Sequence, residues 1–358
     1  MDDGASVVKD GGRATVMVSG SFPPDVCGVG DYTGRLMEVA PAHWRALIER
    51  DWSVRALPGI LRRLLKLRPV DVVTQYPTQG YGWSLVPHLL AIVGTVSCRY
   101  RTTFALHEFS SLSKKAQLAL ALVSHFVGRF IFTTEVERDR ARSHPLFSRQ
   151  VPTSVVGIIS NIPLSDTWPR FSVRTIDVAY FGHIRPNKGL EAFLDVMQAL
   201  HAEHPAARIA VIGEIPTGYE EFAAMVAHRI SVIGGELILG LDDGAVAQTL
   251  RDIRLLYLPF PDGVSARRGS VLAGLGNGAI IATRIGAATP ESLLSAVIAC
   301  EGTPSDVPAL IDTLAMTDEQ AAVLGERGRR YIATTLPRDW QHVAALYEHA
   351  LGKVDGRR

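Results

Sequence analysis

The chain has 358 residues, of which 47% are hydrophobic and 20% charged, with a formal net charge of +1. That length exceeds one ordinary core and suits two domains of about 150 residues each. The composition excludes extended disorder beyond the ends, and the near-neutral charge gives no ground for a nucleic-acid partner.

The charge is unevenly spread. Residues 1 to 160 carry 19 Lys+Arg against 13 Asp+Glu, a net +6, and residues 161 to 358 carry 18 against 23, a net −5. A basic first half fits an anionic partner there, such as a phospholipid surface or a lipid phosphate, and fits ordinary surface variation as well. Cys27, Cys98 and Cys300 form no C-x-x-C pair, so neither a zinc site nor a disulfide framework is indicated, and a reducing cytoplasm suits the chain. Met1 to Gly12 lacks the order of a secretory signal. The most apolar windows, Trp83 to Cys98 and Ala116 to Val127, are short for a membrane span and read as buried helices. The expected location is cytoplasmic, with the basic half available to the inner face of the membrane.

Taken in order, a tail over 1–12 precedes a β-branched strand, Ala14 to Ser19. A long loop, Gly20-Ser-Phe-Pro-Pro-Asp-Val-Cys-Gly-Val-Gly-Asp-Tyr32, then feeds a helix expected from Thr33 to Val39. Gly28 and Gly30 are what backbone needs to approach a phosphate closely. Gly28-x-Gly30-x-x-x-Gly34 is not the dinucleotide fingerprint; Glu49 stands at the distance of a ribose-binding acid, but the loop before Gly28 is too long for that tight turn. Arg45 to Asp51 is a second strand. Ile60 to Arg68 is a basic amphipathic helix that reads either as a contact for anionic lipid or as a surface helix packed on the sheet.

Strand Val70 to Tyr76, helix Trp83 to Val96 and strand Thr102 to Leu106 come next, and the last runs into His107-Glu108. A histidine at the end of a parallel strand faces the crevice where ligands bind; it also serves as an ordinary capping or packing residue. Helix Lys114 to Val127, strand Arg129 to Thr133, helix Glu135 to Ser143 and strand Ser154 to Ile159 complete one doubly wound domain over 13–163. Residues 164–175 read as a linker, because prolines and turn formers break the periodicity. A second β/α series occupies 176–336, with strands Ile176 to Gly182, Arg208 to Gly213, Glu236 to Leu239, Arg254 to Leu258, Ala279 to Thr283 and Ala296 to Ala299. The remainder, 337–358, holds a final helix, Gln341 to Leu351, which can pack back on the first domain.

Two loops of the second series concentrate charge. Gly182-His-Ile-Arg-Pro-Asn-Lys-Gly-Leu190 sets Arg185 and Lys188 beside the start of a helix, where cations and helix dipole together favour an anion, a diphosphate above all. Tyr257-Leu-Pro-Phe-Pro-Asp-Gly-Val-Ser-Ala-Arg-Arg-Gly-Ser270 turns a buried strand through Asp262, Arg267, Arg268 and Gly269 into another helix expected from Ser270. Solvated surface charge is the alternative for each loop alone. Two such loops suit a phosphorylated, hydroxyl-rich ligand.

The loop at Gly20 to Tyr32, Phe-Gly-His-Ile-Arg-Pro-Asn-Lys-Gly ending at Gly189, and Leu-Pro-Phe-Pro-Asp-Gly-Val-Ser-Ala-Arg-Arg-Gly-Ser ending at Ser270 together resemble the retaining GT-B glycosyltransferases of family 4, over about Ala14 to Leu351. The resemblance implies two Rossmann-like doubly wound domains facing a cleft. It implies a nucleotide-diphosphate sugar held mainly by the second domain, a hydroxyl acceptor, lipid-linked or not, held mainly by the first, and no metal or other cofactor. By it His107, Arg185, Lys188 and Asp262 would be catalytic. Gly28, Gly30, Glu214, Leu241, Arg268, Gly269 and Ser270 would bind the donor, with Glu214 and the Gly240-Leu-Asp-Asp243 loop near the base. Retention by front-face attack is implied, with charge on the departing diphosphate stabilised by the cations.

Two positions depart from that family's pattern. Ser270 stands where a carboxylate usually grips the ribose, and a hydroxyl binds an oxygen more weakly. His183 follows Gly182 where an arginine is usual, the arginine coming at Arg185. A non-catalytic nucleotide-sugar-binding protein, and a GT-B enzyme of other chemistry such as epimerisation or transfer from a non-sugar donor, are the competing readings.

Overall fold

The computed structural model describes residues 14–25 and 27–352, so the tail at 1–12 and the last residues lie outside it. The chain divides into two compact units, Met1–Val156 with Trp340–Arg358, and Gly157–Asp339.

Unit 1 runs β1 (Ala14–Ser19), α1 (Gly28–Glu38), β2 (Trp44–Ile48), α2 (Leu57–Lys66), β3 (Pro69–Tyr76), α3 (Val86–Ser97), β4 (Arg101–Leu106), α4 (Lys114–Val123), β5 (Arg129–Phe132), α5 (Glu135–Ser143) and β6 (Thr153–Val155). All strands are parallel, in the order β2-β1-β3-β4-β5-β6. Every residue of β1 is buried. A β-branched run without polar alternation is what a strand covered on both faces requires. Val16, Val18, Val72, Phe104 and Phe130 join the core that results. Strand order reverses between β1 and β3, so a crevice opens beyond their carboxyl ends.

The first helix begins at Gly28, five residues before the expected Thr33. Glycine is a poor helix former, which is why the sequence reads as loop there. Packing explains its use: a Cβ on Gly30 would lie 3.1 Å from the Ser21 carbonyl oxygen, so the first turn seats directly on the chain leaving β1.

Unit 2 runs β7 (Ile176–Phe181), α6 (Leu190–Glu203), β8 (Ile209–Gly213), α7 (Glu220–Val232), β9 (Glu236–Leu239), α8 (Asp243–Arg251), β10 (Ile253–Leu258), α9 (Gly269–Gly276), β11 (Ile280–Thr283), α10 (Glu291–Leu294), β12 (Ile298–Ala299), α11 (Val307–Leu314) and α12 (Asp318–Thr335). Its parallel sheet has the order β12-β11-β10-β7-β8-β9, and the switch point falls between β7 and β10. Residues 164–175 pack on this unit. Phe171 enters its core, and Trp168 lies so close to Gly278 that a Cβ there would come within 2.3 Å of the indole.

The terminal helix, α13 (Trp340–Ala350), belongs to unit 1. Trp44 Nε1 donates to Glu348 Oε1 at 2.6 Å, and the Trp44 and Tyr347 rings lie 6.2 Å apart, edge to face. Val343, Ala344, Tyr347 and Ala350 supply the buried stripe that docks it. Both units are thus Rossmann-like α/β sheets, as the sequence alternation predicts.

Candidate functional site

The sequence-predicted residues fall in two groups, one on each unit. In unit 2 all of them but Leu241 gather at the carboxyl edge of β10, β7 and β8, around the switch point.

Three backbone approaches build that edge. Gly189 has a left-handed φ of 85°, and a Cβ on it would meet the Pro259 carbonyl oxygen at 2.4 Å. The loop after β7 and the loop after β10 therefore touch through bare backbone. A Cβ on Gly213 would lie 1.9 Å from the Gly182 carbonyl oxygen, and Ile184 N donates to Glu214 O at 2.8 Å, which joins the loop after β8 to the same edge. Only glycine permits such contacts.

Arg185 and Lys188 sit in the loop after β7, half-buried, immediately before α6. The Tyr180 phenol donates to the Lys188 carbonyl at 3.3 Å and anchors that loop from within the sheet. Burial raises the Tyr180 pKa, and the nearby Arg268 and Arg185 cations oppose the rise. Both arginines, from different loops, thus act on one buried ring. His183 is neutral at physiological pH: burial, with Lys188 and Arg185 beside it, lowers its pKa to about 4. The site keeps its two cations in this loop and adds no third charge.

In the loop after β10, Arg268 is largely buried, stacks 4.3 Å above the Phe260 ring, and donates through Nη2 to Asp262, whose side chain is 64% exposed. Sequence spacing does not reveal this pair: Asp262 and Arg268 read as separate ligand contacts, yet the structure gives each to the other. Helix α9 starts at Gly269, one residue before the expected Ser270, with Arg268 as its N-cap and no side chain closing the end. The Gly269 and Ser270 amides head that helix, where backbone donors point outward. Glu214 is exposed beyond β8. Leu241 stands apart at the end of β9, half-buried against the unit 2 core, while Asp242 caps α8 by accepting from Ala245 N at 2.8 Å.

In unit 1, Gly28 and Gly30 occupy the first turn of α1, the former exposed and open, the latter buried. The crevice floor is closed by Gly80, whose virtual Cβ would come within 1.7 Å of the Gly20 carbonyl oxygen, and by Ser21 Oγ, which accepts from Gly80 N at 2.9 Å. His107 follows β4 and is 3% exposed. Its Nε2 lies 2.7 Å from Gln75 Oε1, its ring meets Tyr32 edge to face at 5.0 Å, and its carbonyl accepts from Thr133 Oγ1 at 3.0 Å. Gln75, Tyr32 and Ser21 are surroundings that sequence reasoning missed. The one available signal was an amide one residue before the end of a mostly apolar strand, Val-Val-Thr-Gln75.

No protein-family model matches the chain, and no curated protein matches it by sequence. Solved structures do. The N-terminal domain of the trehalose-6-phosphate phosphatase of Candida albicans superposes with a TM-score of 0.69 at 10% identity, over 96% of this chain and 97% of that one. HepE of Anabaena, solved with UDP and glucose, gives 0.68 at 11% identity over 96% and 100%. The α,α-trehalose-phosphate synthase (UDP-forming) of Burkholderia vietnamiensis gives 0.64 at 10% identity over 96% and 100%. The chain has the GT-B fold. Among the described residues, no helix is long and apolar enough to cross a membrane.

Proposed function

We propose that this protein is a retaining glycosyltransferase of family 4 that moves a sugar from a nucleotide-diphosphate sugar to a hydroxyl acceptor, with no metal ion. One observation carries the reading: at the β7/β10 switch point, two strand-to-helix loops bearing Arg185, Lys188 and Arg268 are pressed together through Gly189, each leading into a helix N-terminus. Cations and helix-end amides converging on one edge suit a diphosphate, and fixed donors of this kind stabilise charge as it develops on a leaving group. The fold shared with HepE, which was solved with UDP and glucose, makes UDP-glucose the first donor to try.

In this reading unit 2 holds the donor. Arg185 and Lys188 neutralise the departing diphosphate, and the Gly269 and Ser270 amides bind it. Asp262 accepts from sugar hydroxyls, and Glu214 and Leu241 lie toward the base. Unit 1 holds the acceptor, with Gly28 and Gly30 allowing close approach of backbone to donor phosphate or sugar, and His107 contacting the sugar.

The test is transfer of labelled sugar, preceded by thermal stabilisation with UDP-, GDP-, ADP-, CMP- and TDP-sugars, each with and without EDTA. One donor should stand out, unaffected by EDTA, and Arg185→Ala or Lys188→Ala should abolish transfer. Unchanged turnover in both variants rejects the donor assignment. The Asp262–Arg268 pair and the absence of a carboxylate at Ser270 favour a second reading, a protein that binds a nucleotide sugar without turnover. Stabilisation by a donor without any glycoside, epimer or free nucleotide selects it.

A lipid-linked acceptor and peripheral membrane contact belong to the first reading. Ile48, Val54, Trp83 and Leu85 are exposed, and Ser84 Oγ donating to Trp52 O ties the segments that carry them. Residues 45–68 around them hold 7 Lys+Arg against 2 Asp+Glu. Apolar side chains among arginines suit an anionic bilayer surface.

A further inference from the structure

We propose that the buried carboxylate of Glu137 acts as a built-in anion for the loop that follows β4, holding it so that Glu108 meets a hydroxyl acceptor. The role of Glu108 rests on the reading of unit 1 as the acceptor domain; the hold on the loop does not.

The loop over 107–113 joins β4 to α4 at the carboxyl edge of the unit 1 sheet. Glu137 lies on α5, 1% exposed, three residues after the N-cap Thr134. Thr134-x-x-Glu137 is the spacing of a capping box, in which the glutamate turns back to its own helix end. Thr134 supplies its half, since its Oγ1 accepts from Glu137 N at 3.2 Å. The glutamate side chain reaches across to the loop. Its Oε2 accepts from Phe109 N at 2.6 Å and from Ser110 N at 2.8 Å, and its Oε1 accepts from Ser110 Oγ at 2.6 Å.

Two successive amides closing on one oxygen form the kind of concavity that binds free anions at other sites. Here a side chain 28 positions along the chain fills it. Hydrogen bonds to a charged acceptor are roughly twice as strong as neutral ones, so the hold is firm. The loop's carbonyls have their own holder. Gln117 on α4, also buried, donates through Nε2 to Leu112 O at 3.0 Å and to Phe109 O at 3.2 Å. Ahead of these contacts, His107 N donates to Tyr76 O at 2.8 Å, and His107 O accepts from Thr133 Oγ1 at 3.0 Å. Glu108 is therefore flanked by fixed backbone on both sides.

A buried carboxylate is costly to place, and a loop needs none merely to turn. Fixed backbone at a sheet edge is what aims a side chain at a ligand. Phe109 goes to the unit 1 core and Ser110 Oγ to Glu137, while Glu108 stays half-buried with Ser111 Oγ donating to it. A carboxylate accepts from hydroxyls, the group that every acceptor in this reading carries. Glu137 and Gln117 are positioning residues in this scheme, and Glu108 is the acceptor contact.

The test uses the full chain, with amide exchange read by mass spectrometry on the 107–113 peptide and, as the control for folding, on β4. Glu137→Leu keeps the bulk but strands both amides, so 107–113 should exchange about tenfold faster with β4 unchanged. Glu137→Gln still offers an oxygen to both amides and should stay within about threefold of wild type. Should Glu137→Leu not fold, Glu137→Asp, one methylene too short, takes its place. Exchange at 107–113 equal to wild type in the apolar or shortened variant overturns the hold. Transfer is read with labelled UDP-glucose and with octyl glucoside as the hydroxyl acceptor. Glu108→Gln and Glu137→Leu should each raise the acceptor KM about tenfold and leave the donor KM within about twofold, and together they should raise it little more than either alone. Additive effects, or an acceptor KM unmoved while the loop loosens, overturn the assignment of Glu108. If wild type transfers to no hydroxyl acceptor, the acceptor contact falls with the proposed function, and the exchange result alone judges the hold.

Discussion

A Cβ on Gly189 would stand 2.4 Å from the carbonyl oxygen of Pro259. The contact joins the loop after β7 to the loop after β10, and it is also where α6 begins. Gly189→Ala meets two penalties there. A left-handed alanine costs about 1–2 kcal/mol, and the Pro259 backbone must move as well. We expect the unit 2 transition in urea to lose roughly 3 kcal/mol, the range of strained-backbone and overpacking substitutions. Thermal stabilisation by a nucleotide sugar should vanish in the same variant. Gly218→Ala is the control: it carries a left-handed φ of 89° with nothing within 4 Å of its virtual Cβ, so it should lose stability but keep the ligand response.

The alternation of strand and helix was legible because buried parallel strands are unbroken β-branched runs, such as Ala14 to Ser19, and because prolines and glycines punctuate them. The loops of Arg185 and Asp262 were legible for the same reason, since a loop leaving such a strand at its carboxyl end lies at a sheet edge. The partners were not. Asp262 and Arg268 are close in sequence, but only the turn through Gly263, at a left-handed φ of 81°, aims one at the other. Gln75 is 58 residues from Met17 and 32 from His107, and no periodicity encodes pairings at that separation. The start of α1 was missed because its glycines serve packing against Ser21 at the expense of helix propensity.

His88 on α3 is buried against the rings of Tyr76 and Phe104, and neither of its nitrogens has a hydrogen-bond partner. Burial lowers its pKa to about 4. The unfolded chain, with histidine near its usual value, binds a proton first as pH falls, so protonation favours unfolding. Stability from this group is full above about pH 6.5 and declines as pH falls toward 4, by roughly 3 kcal/mol at most. His88→Phe should leave unit 1 about as stable at pH 7.5 and flatten its decline between pH 6.5 and 4.5. His183 imposes the same sign on unit 2, so that unit's acid sensitivity should persist. Chemical denaturation at three pH values measures both; a decline unchanged in His88→Phe counts against the assignment.

Trp83 is 85% exposed, beside Leu85 and the arginine-rich stretch 45–68. Binding to vesicles should need anionic lipid, weaken with salt, and fall severalfold in Trp83→Ala, since both apolar insertion and charge contribute. Co-sedimentation with phosphatidylcholine vesicles, with and without phosphatidylglycerol, reads this directly. Binding to neither, or binding indifferent to Trp83, removes the membrane face from the proposed function while leaving sugar transfer untouched.

Asp262 and Arg268 divide one charge between them, and the division sets opposite expectations for nucleotide and sugar. With Asp262 as it stands, Arg268 reaches a diphosphate only by sharing its guanidinium with a carboxylate that also repels the anion. Asp262→Asn removes both hindrances while the stacking of Arg268 on Phe260 remains. Because Asp262 is exposed, the pair is worth little, about 0–1 kcal/mol, so UDP should bind no more than about fivefold tighter. Transfer should move the other way, since the amide is a weaker acceptor for sugar hydroxyls than the ionised acid. Isothermal titration with UDP and with UDP-glucose, beside a transfer assay, separates the two effects. Tighter UDP with slower transfer supports a carboxylate that grips the sugar. Weaker UDP in Asp262→Asn would instead mean that Asp262 steadies Arg268 for the phosphate, and its role would pass from sugar contact to the holding of that arginine.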